Sequence, residues 1–203
     1  VGGQTVHLAE LTSGSIVAVD SHAPSIERLR AAVISRRLAQ RVTPMVGDMA
    51  DLDQPPASFD LIWSEGALYN IGIEKALGLC HGLLRPGGRL VFSDAVWRKD
   101  NPPPEVKASF DADYPAMGTV ADVLAIIGRS RFSVMGQFTL PDEAWWEDFY
   151  TPMETRIEEL RGKYSADSEA LAVLDQIAQE PAMHRRHSEF YAYEFFVLLR
   201  ADE

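Results

Sequence analysis

A doubly wound, parallel α/β sheet with helices on both faces is predicted by the order of strand-like and helical runs. Short apolar runs alternate with helical patterns between residues 15 and 94. The first of these runs ends in an acid and is continuous rather than alternating, as a strand buried on both faces is. Finally, a long polar helical stretch separates two late strand-like runs, Phe132 to Leu140 and Phe190 to Arg200.

The elements follow in order. Gln4 to Glu10 suits a helix and Ser15 to Asp20 a buried strand. Ser25 to Ala39 reads as a helix with Ile26, Leu29, Ala32 and Val33 on one face. Val42 to Val46 leads into Gly47-Asp48, and Phe59 to Ser64 forms the next strand. A helix from Ile73 to Leu84 is stopped by Arg85-Pro86-Gly87-Gly88, because glycine supplies the turn and proline cannot continue the helix. Arg89 to Asp94 is then a strand. Lys99 to Glu105, with Pro102-Pro103-Pro104, reads as a stiff extended linker. Val120 to Arg129 is a helix, and Phe132, Val134 and Phe138 share one face of the strand that follows. Glu143–Tyr150, Met153–Tyr164 and Ser168–Gln179 are helical.

The chain has 203 residues, 46% of them hydrophobic, which suits one core and one domain over 1–203, with residues 141–189 as a helical insertion or lid. The formal charge is -11, from 30 acidic and 19 basic residues. So acidic a surface repels nucleic acid and anionic lipid and leaves a small molecule as the default ligand. A single cysteine, Cys80, permits no intrachain disulfide, and no apolar run is long enough to span a membrane, which together predict a reducing, cytoplasmic setting. The sequence opens at Val1 directly on its glycines, so an upstream strand, central to the sheet, is expected.

In an open parallel sheet, ligands bind beyond the carboxyl ends of the strands. Gly2 and Gly3 open the first helix, whose free N–H groups favour an anionic group. Asp20 stands where an acid accepts hydrogen bonds from both hydroxyls of a ribose, and Asp48 could accept from an exocyclic amine. Each signal is weak alone, since glycines open many helices and surface aspartates are often caps.

Their order resembles the class I S-adenosylmethionine-dependent methyltransferases, a Rossmann-like family. Val1-Gly2-Gly3-Gln4-Thr5 is similar to the tail of the family's glycine-rich motif, without its preceding acid and glycines. Ser15 to Asp20 resembles the strand ending in the ribose-binding acid. Gly47-Asp48-Met49 resembles the adenine-contacting segment, Phe59 to Gly66 the fourth-strand motif, and Leu84 to Leu90 the turn after it. The resemblance implies S-adenosyl-L-methionine as cofactor, held by Gly2, Gly3, Asp20, Ser21, His22, Asp48, Met49, Ser64 and Glu65. It also implies in-line methyl transfer to a small-molecule acceptor, and a Rossmann-like, mostly parallel sheet with an antiparallel C-terminal strand, since Phe132 to Leu140 and Phe190 to Arg200 resemble the family's closing antiparallel pair.

Such a displacement needs positioning in a dry site more than it needs a base. Where a proton must leave, Glu65, Tyr69 and Asn70 follow the fourth strand and are the candidate catalytic residues, although Glu65 could equally cap a helix and Tyr69 pack beneath it. Tyr69, Trp97 and Tyr114 are candidate substrate contacts, since aromatic faces beside carboxylates attract cationic amines. Trp145 to Tyr150 suits either a pocket wall or core packing. His184 and His187 share a helical face but lack a third ligand, so no metal is expected. Apolar residues of the insertion, Ile157, Leu160, Leu171, Leu174 and Ile177, suggest a homodimer. A nicotinamide-dependent oxidoreductase and a non-catalytic cofactor-binding module are the alternatives. Nothing in the sequence selects the acceptor atom.

Overall fold

A computed structural model describes residues 2–201; Val1, the first residue of the glycine-rich opening, and the last two positions of the 1–203 domain lie outside them. The chain forms two compact units, Val1–Pro55 and Pro56–Glu203.

In the first unit the order is α1 (Gly3–Leu11), β1 (Ile16–Asp20), α2 (Ala23–Ser35) and β2 (Val42–Val46). The two strands pair in parallel, from Ile16 opposite Val42 to Asp20 opposite Val46. Val6 and Ala9 of α1 meet Leu29 and Val33 of α2 and Val42 of β2 in one apolar cluster. The helix over 25–39 is shorter than its sequence pattern: it ends at Ser35, because Arg37 turns the chain with φ of 59°. Arg41 closes the far end of this unit. Its guanidinium donates to the carbonyls of Ala9 at 2.8 Å, Thr12 at 2.7 Å and Gly14 at 3.2 Å, covering the carboxyl end of α1 and the loop into β1.

The second unit runs β3 (Phe59–Glu65), a 3-10 turn (Leu68–Ile71), α3 (Ile73–Leu83), β4 (Leu84–Trp97), α4 (Pro104–Asp113), α5 (Val120–Gly128) and β5 (Phe132–Thr139). It continues with α6 (Asp142–Trp145), a π-helical turn (Trp146–Tyr150), α7 (Thr151–Lys163), α8 (Ser168–Ile177), α9 (Gln179–His187), a second 3-10 turn (Ser188–Phe190) and β6 (Tyr191–Arg200). The strand order is β3-β4-β6-β5. β3 and β4 are parallel, and β6 is antiparallel to both β4 and β5, so among the described strands of this unit β6 alone runs against the rest. The α/β class with an antiparallel final strand follows directly. Leu90, Phe92 and Val96 of β4 and Phe196 and Leu198 of β6 are fully buried, with the Phe92 and Phe196 rings stacked at 5.1 Å.

Three details differ from the sequence pattern. The Arg85–Gly88 turn does end α3, but it is a bulge inside the ladder: Phe59 faces Leu84 and Leu61 faces Arg89, so four residues loop out opposite Asp60. Gly87 supplies the left-handed residue, φ 71°, and Arg85 binds Asp60 at 2.6 Å. The proline linker shortens to Lys99–Pro103, because Pro104 is the first residue of α4, where a missing N–H costs nothing. In β5 a bulge at Met135 reverses the alternation, so Phe138, paired with Phe195, lies on the opposite face from Phe132 and Val134.

Ile157 and Leu174 are buried within the second unit, while Val173 and Ile177 of α8 stay exposed. The Cys80 thiol is buried, and desolvation pushes its pKa up to about 12. No described helix is long and apolar enough to cross a membrane.

Candidate active site

In the first unit, the short loop between α1 and β1 brings the amino end of α1 to the side where β1 and β2 end. Gly2 caps α1 with φ of 73°, a conformation other residues rarely adopt, and a Cβ there would fall 2.7 Å from Leu29 Cδ1. No side chain caps the helix, so its first amides are available to a ligand, and open space surrounds Gly3. Asp20 is exposed at the end of β1, where Oδ1 accepts from the His22 amide at 2.8 Å. Ser21 is exposed between them, and the His22 ring is held by Ser25 Oγ at 2.8 Å. The Gly47 amide donates to the Asp20 carbonyl at 3.2 Å and ties the two strand ends together. Asp48 Oδ1 accepts from the Ala50 amide at 2.8 Å, an Asx turn that presents half-buried Met49. An uncapped helix end without side chains and two exposed strand-end carboxylates fit a ligand that carries both a nucleoside and a charged tail.

In the second unit, Ser64 is half-buried and Glu65 exposed at the end of β3. Glu65 Oε1 accepts from Trp63 Nε1 at 2.7 Å. Gly66 follows with φ of 53°, and a Cβ there would lie 2.8 Å from the Tyr193 ring. Its amide donates to both the Ser93 carbonyl and Ser93 Oγ at 3.1 Å. In the turn after it, Asn70 spends its amide on the Ala67 carbonyl at 2.9 Å, and Tyr69 stacks on Tyr114 with ring centres 4.6 Å apart.

The Tyr114 hydroxyl donates to Asp94 Oδ2 at 2.8 Å. Asp94 is fully buried, and its other oxygen, Oδ1, has no hydrogen-bond partner. Desolvation raises its pKa to about 6, against the opposing pull of the Tyr114 hydroxyl and the Ala95 amide. Across the ladder Asp94 faces Glu194, also buried, which accepts from Thr139 Oγ1 at 2.6 Å. Burial, and then the Asp94 charge, push the Tyr114 hydroxyl above the usual phenol range. Burial brings Tyr193 to about 12, and its ring stands edge-on to Trp145 of the insertion, 5.0 Å away.

Tyr69 and Tyr114 therefore meet, whereas Trp97 sits against Phe110 of α4 at 5.4 Å, beside the Ala95, Val106, Met117 and Tyr191 cluster. The aromatic stretch of the insertion packs around Tyr150 and His184, and Trp145 alone extends to Tyr193. His184 is held between Asp142 at 2.9 Å and the Tyr191 hydroxyl at 3.0 Å, and His187 contacts Glu105 at 2.6 Å. Asp94, Glu194 and Tyr193 are the additions to the sequence-derived set. Asp94 carries the same signal as Asp20, an acid at a strand end, and Glu194 is the lone acid in an apolar strand.

Sheet order and the alternation of strands with helices define an α/β protein with a mostly parallel arrangement of strands and an antiparallel final strand. Residues 1–88 match the model of the methyltransferase domain. A dimethylglycine N-methyltransferase of Parasynechococcus marenigrum is 31% identical over 96 residues, which cover 47% of this chain and 34% of that protein. The match thus spans about a third of that relative's length. A methyltransferase from Geobacter sulfurreducens, solved with S-adenosyl-L-homocysteine, superposes with a TM-score of 0.82 at 19% identity, over 98% of this chain and 80% of that one. A Galdieria sulphuraria protein provisionally assigned as a sarcosine dimethylglycine methyltransferase gives 0.77 at 16% identity, over 100% and 75%. The fold is thus shared with these solved methyltransferases, and residues 1–88 are similar to the methyltransferase domain.

Proposed function

We propose that the chain is an enzyme that transfers a methyl group from S-adenosyl-L-methionine to a small-molecule acceptor. The observation that carries this is the first unit's pairing of an uncapped glycine helix end with the exposed, oriented Asp20 carboxylate. Gly2 and Gly3 would admit the amino-acid tail to the α1 amides, Asp20 with Ser21 and His22 would hold the ribose, and Asp48 and Met49 the adenine. Ser64 and Glu65 are assigned to the cofactor through their place in the fourth-strand motif. When bound, the cofactor supplies an electrophilic sulfonium methyl. The chain's own residues then position the acceptor and exclude water. On the acceptor side, Tyr69 and Tyr114 offer ring faces, Trp97 supports them through α4, and Glu65 and Asn70 border the same turn.

Titration calorimetry with S-adenosylhomocysteine tests the assignment. Saturable one-to-one binding is expected, weakened about 10- to 150-fold in Asp20→Ala, the loss of a charged hydrogen bond worth about 1.5–3 kcal/mol. Heat from a nicotinamide dinucleotide in its place would overturn it.

The lone, buried Cys80 and the acidic surface support a cytoplasmic enzyme that does not bind nucleic acid. Exposed Val173 and Ile177 support self-association through α8. Sedimentation should report a dimer that Ile177→Lys converts to monomer; a wild-type monomer at high concentration removes that part.

A further inference from the structure

The acceptor side of the second unit holds an uncompensated negative charge. Asp94 and Glu194 are register partners on β4 and β6, hence on one face of the sheet, and both are buried. Opposed acids in a dry setting are costly unless a cation or protons accompany them. Around them stand Tyr114 from the segment after α4, Tyr69 from the turn after β3, Tyr193 of β6 and Thr139 of β5. Among the described residues, no lysine, arginine or histidine pairs with either carboxylate. Asp94 Oδ1 is left with no donor. Tyr114 donates its hydroxyl to Asp94 Oδ2 and stacks its ring on Tyr69, so the carboxylate is joined to the edge of a stacked pair of rings and adds to the negative charge of their outer faces. A ring backed by a carboxylate attracts a cation more strongly than either group alone.

We propose that Asp94 and Glu194, acting through the Tyr114 and Tyr69 rings, form a cation-selecting subsite, so that the methyl acceptor is an amine gathered as its ammonium ion: it sheds one N–H proton to water, its lone pair forms the N–CH3 bond as the cofactor's S–CH3 bond breaks, and S-adenosylhomocysteine leaves. This rests on the methyltransferase assignment above. Asp94 is a positioning residue here: it sets the charge preference of the rings that meet the acceptor. The predicted ligand class is a small amine or its methylated ammonium, and a neutral alcohol of the same shape is disfavoured.

The test uses methylated ammonium ions, choline, tetramethylammonium and dimethylethanolamine, against 3,3-dimethylbutan-1-ol, the neutral carbon counterpart of choline. Binding is measured with and without S-adenosylhomocysteine. At least one ammonium ion should bind about tenfold or more tightly than the alcohol, and Asp94→Asn should erase that preference while leaving homocysteine-cofactor affinity intact. Choline carries a charge that does not titrate, so its affinity in the wild type should fall as Asp94 gains its proton below a pH of about 6, and stay flat in the variant. A purely structural Asp94 would move neither the charge preference nor this pH profile. Tyr69→Leu, which leaves both acids in place, should also weaken the ammonium ion and spare the alcohol. The proposal fails if the alcohol matches every ammonium ion or if Asp94→Asn keeps the preference. Ammonium binding without any cofactor binding would sink the methyltransferase assignment and leave the subsite standing.

Discussion

Between a pH of about 4 and 6.5, the wild type should lose about 3 kcal/mol of stability relative to Asp94→Asn. The sign follows from where the proton sits. Below an ordinary carboxyl pKa of 3.8, Asp94 is protonated folded and unfolded alike. From there to about 6 the unfolded chain has released the proton and the folded one still holds it, so rising pH favours unfolding. Above about 6 both states are ionised and the penalty stays constant. A tenfold difference in proton affinity is worth about 1.4 kcal/mol, which makes the whole interval about 3 kcal/mol. Denaturant melts of both proteins across this range give the difference directly, and subtraction removes the opposite slope of the surface ion pairs. Parallel stability curves would mean that water reaches Asp94. Asparagine keeps the shape and still accepts from the Tyr114 hydroxyl.

The second large effect lies far from any carboxylate. Arg41→Ala should cost about 2–4 kcal/mol, since three carbonyls of α1 and its following loop lose a charged donor. Arg41→Lys should recover only part, because one ammonium cannot reproduce a fork that spans three acceptors. Hydrogen exchange should rise first in α1 and β1. Because Gly2 is fixed by its approach to Leu29 at the other end of the same helix, cofactor affinity should fall too. Unchanged exchange in α1 would assign Arg41 no part in holding the helix.

The strands of this protein are legible because a parallel strand is a short apolar run with no competing pattern, and β1, β2 and β3 lie where those runs stand; their burial is less than the runs predict, since β1 is only half-buried and β3 leaves Leu61 and Trp63 exposed. The start of α4 is masked in the sequence by its own proline, which reads as a breaker everywhere but in a helix's first turn. Phe138 lies on the face opposite to the one its spacing predicts, because one extra residue at Met135 does not show in a period-two pattern. Asp20 and Asp48 are local signals, each next to the strand it ends. Asp94 and Glu194 are a hundred residues apart in the chain and become neighbours only through ladder register, which no window of sequence contains.

The position of β6 sets the timetable of folding during synthesis. β4 and β5 leave the ribosome first, yet neither can pair with the other, because the strand that joins them comes about fifty residues after β5. Until that strand emerges, β4 carries an unpaired edge and β5 has no partner strand. Insertion of β6 then closes both ladders in one late, long-range step. Slowing translation before Tyr191 would prolong the interval in which a neighbouring nascent chain can take its place.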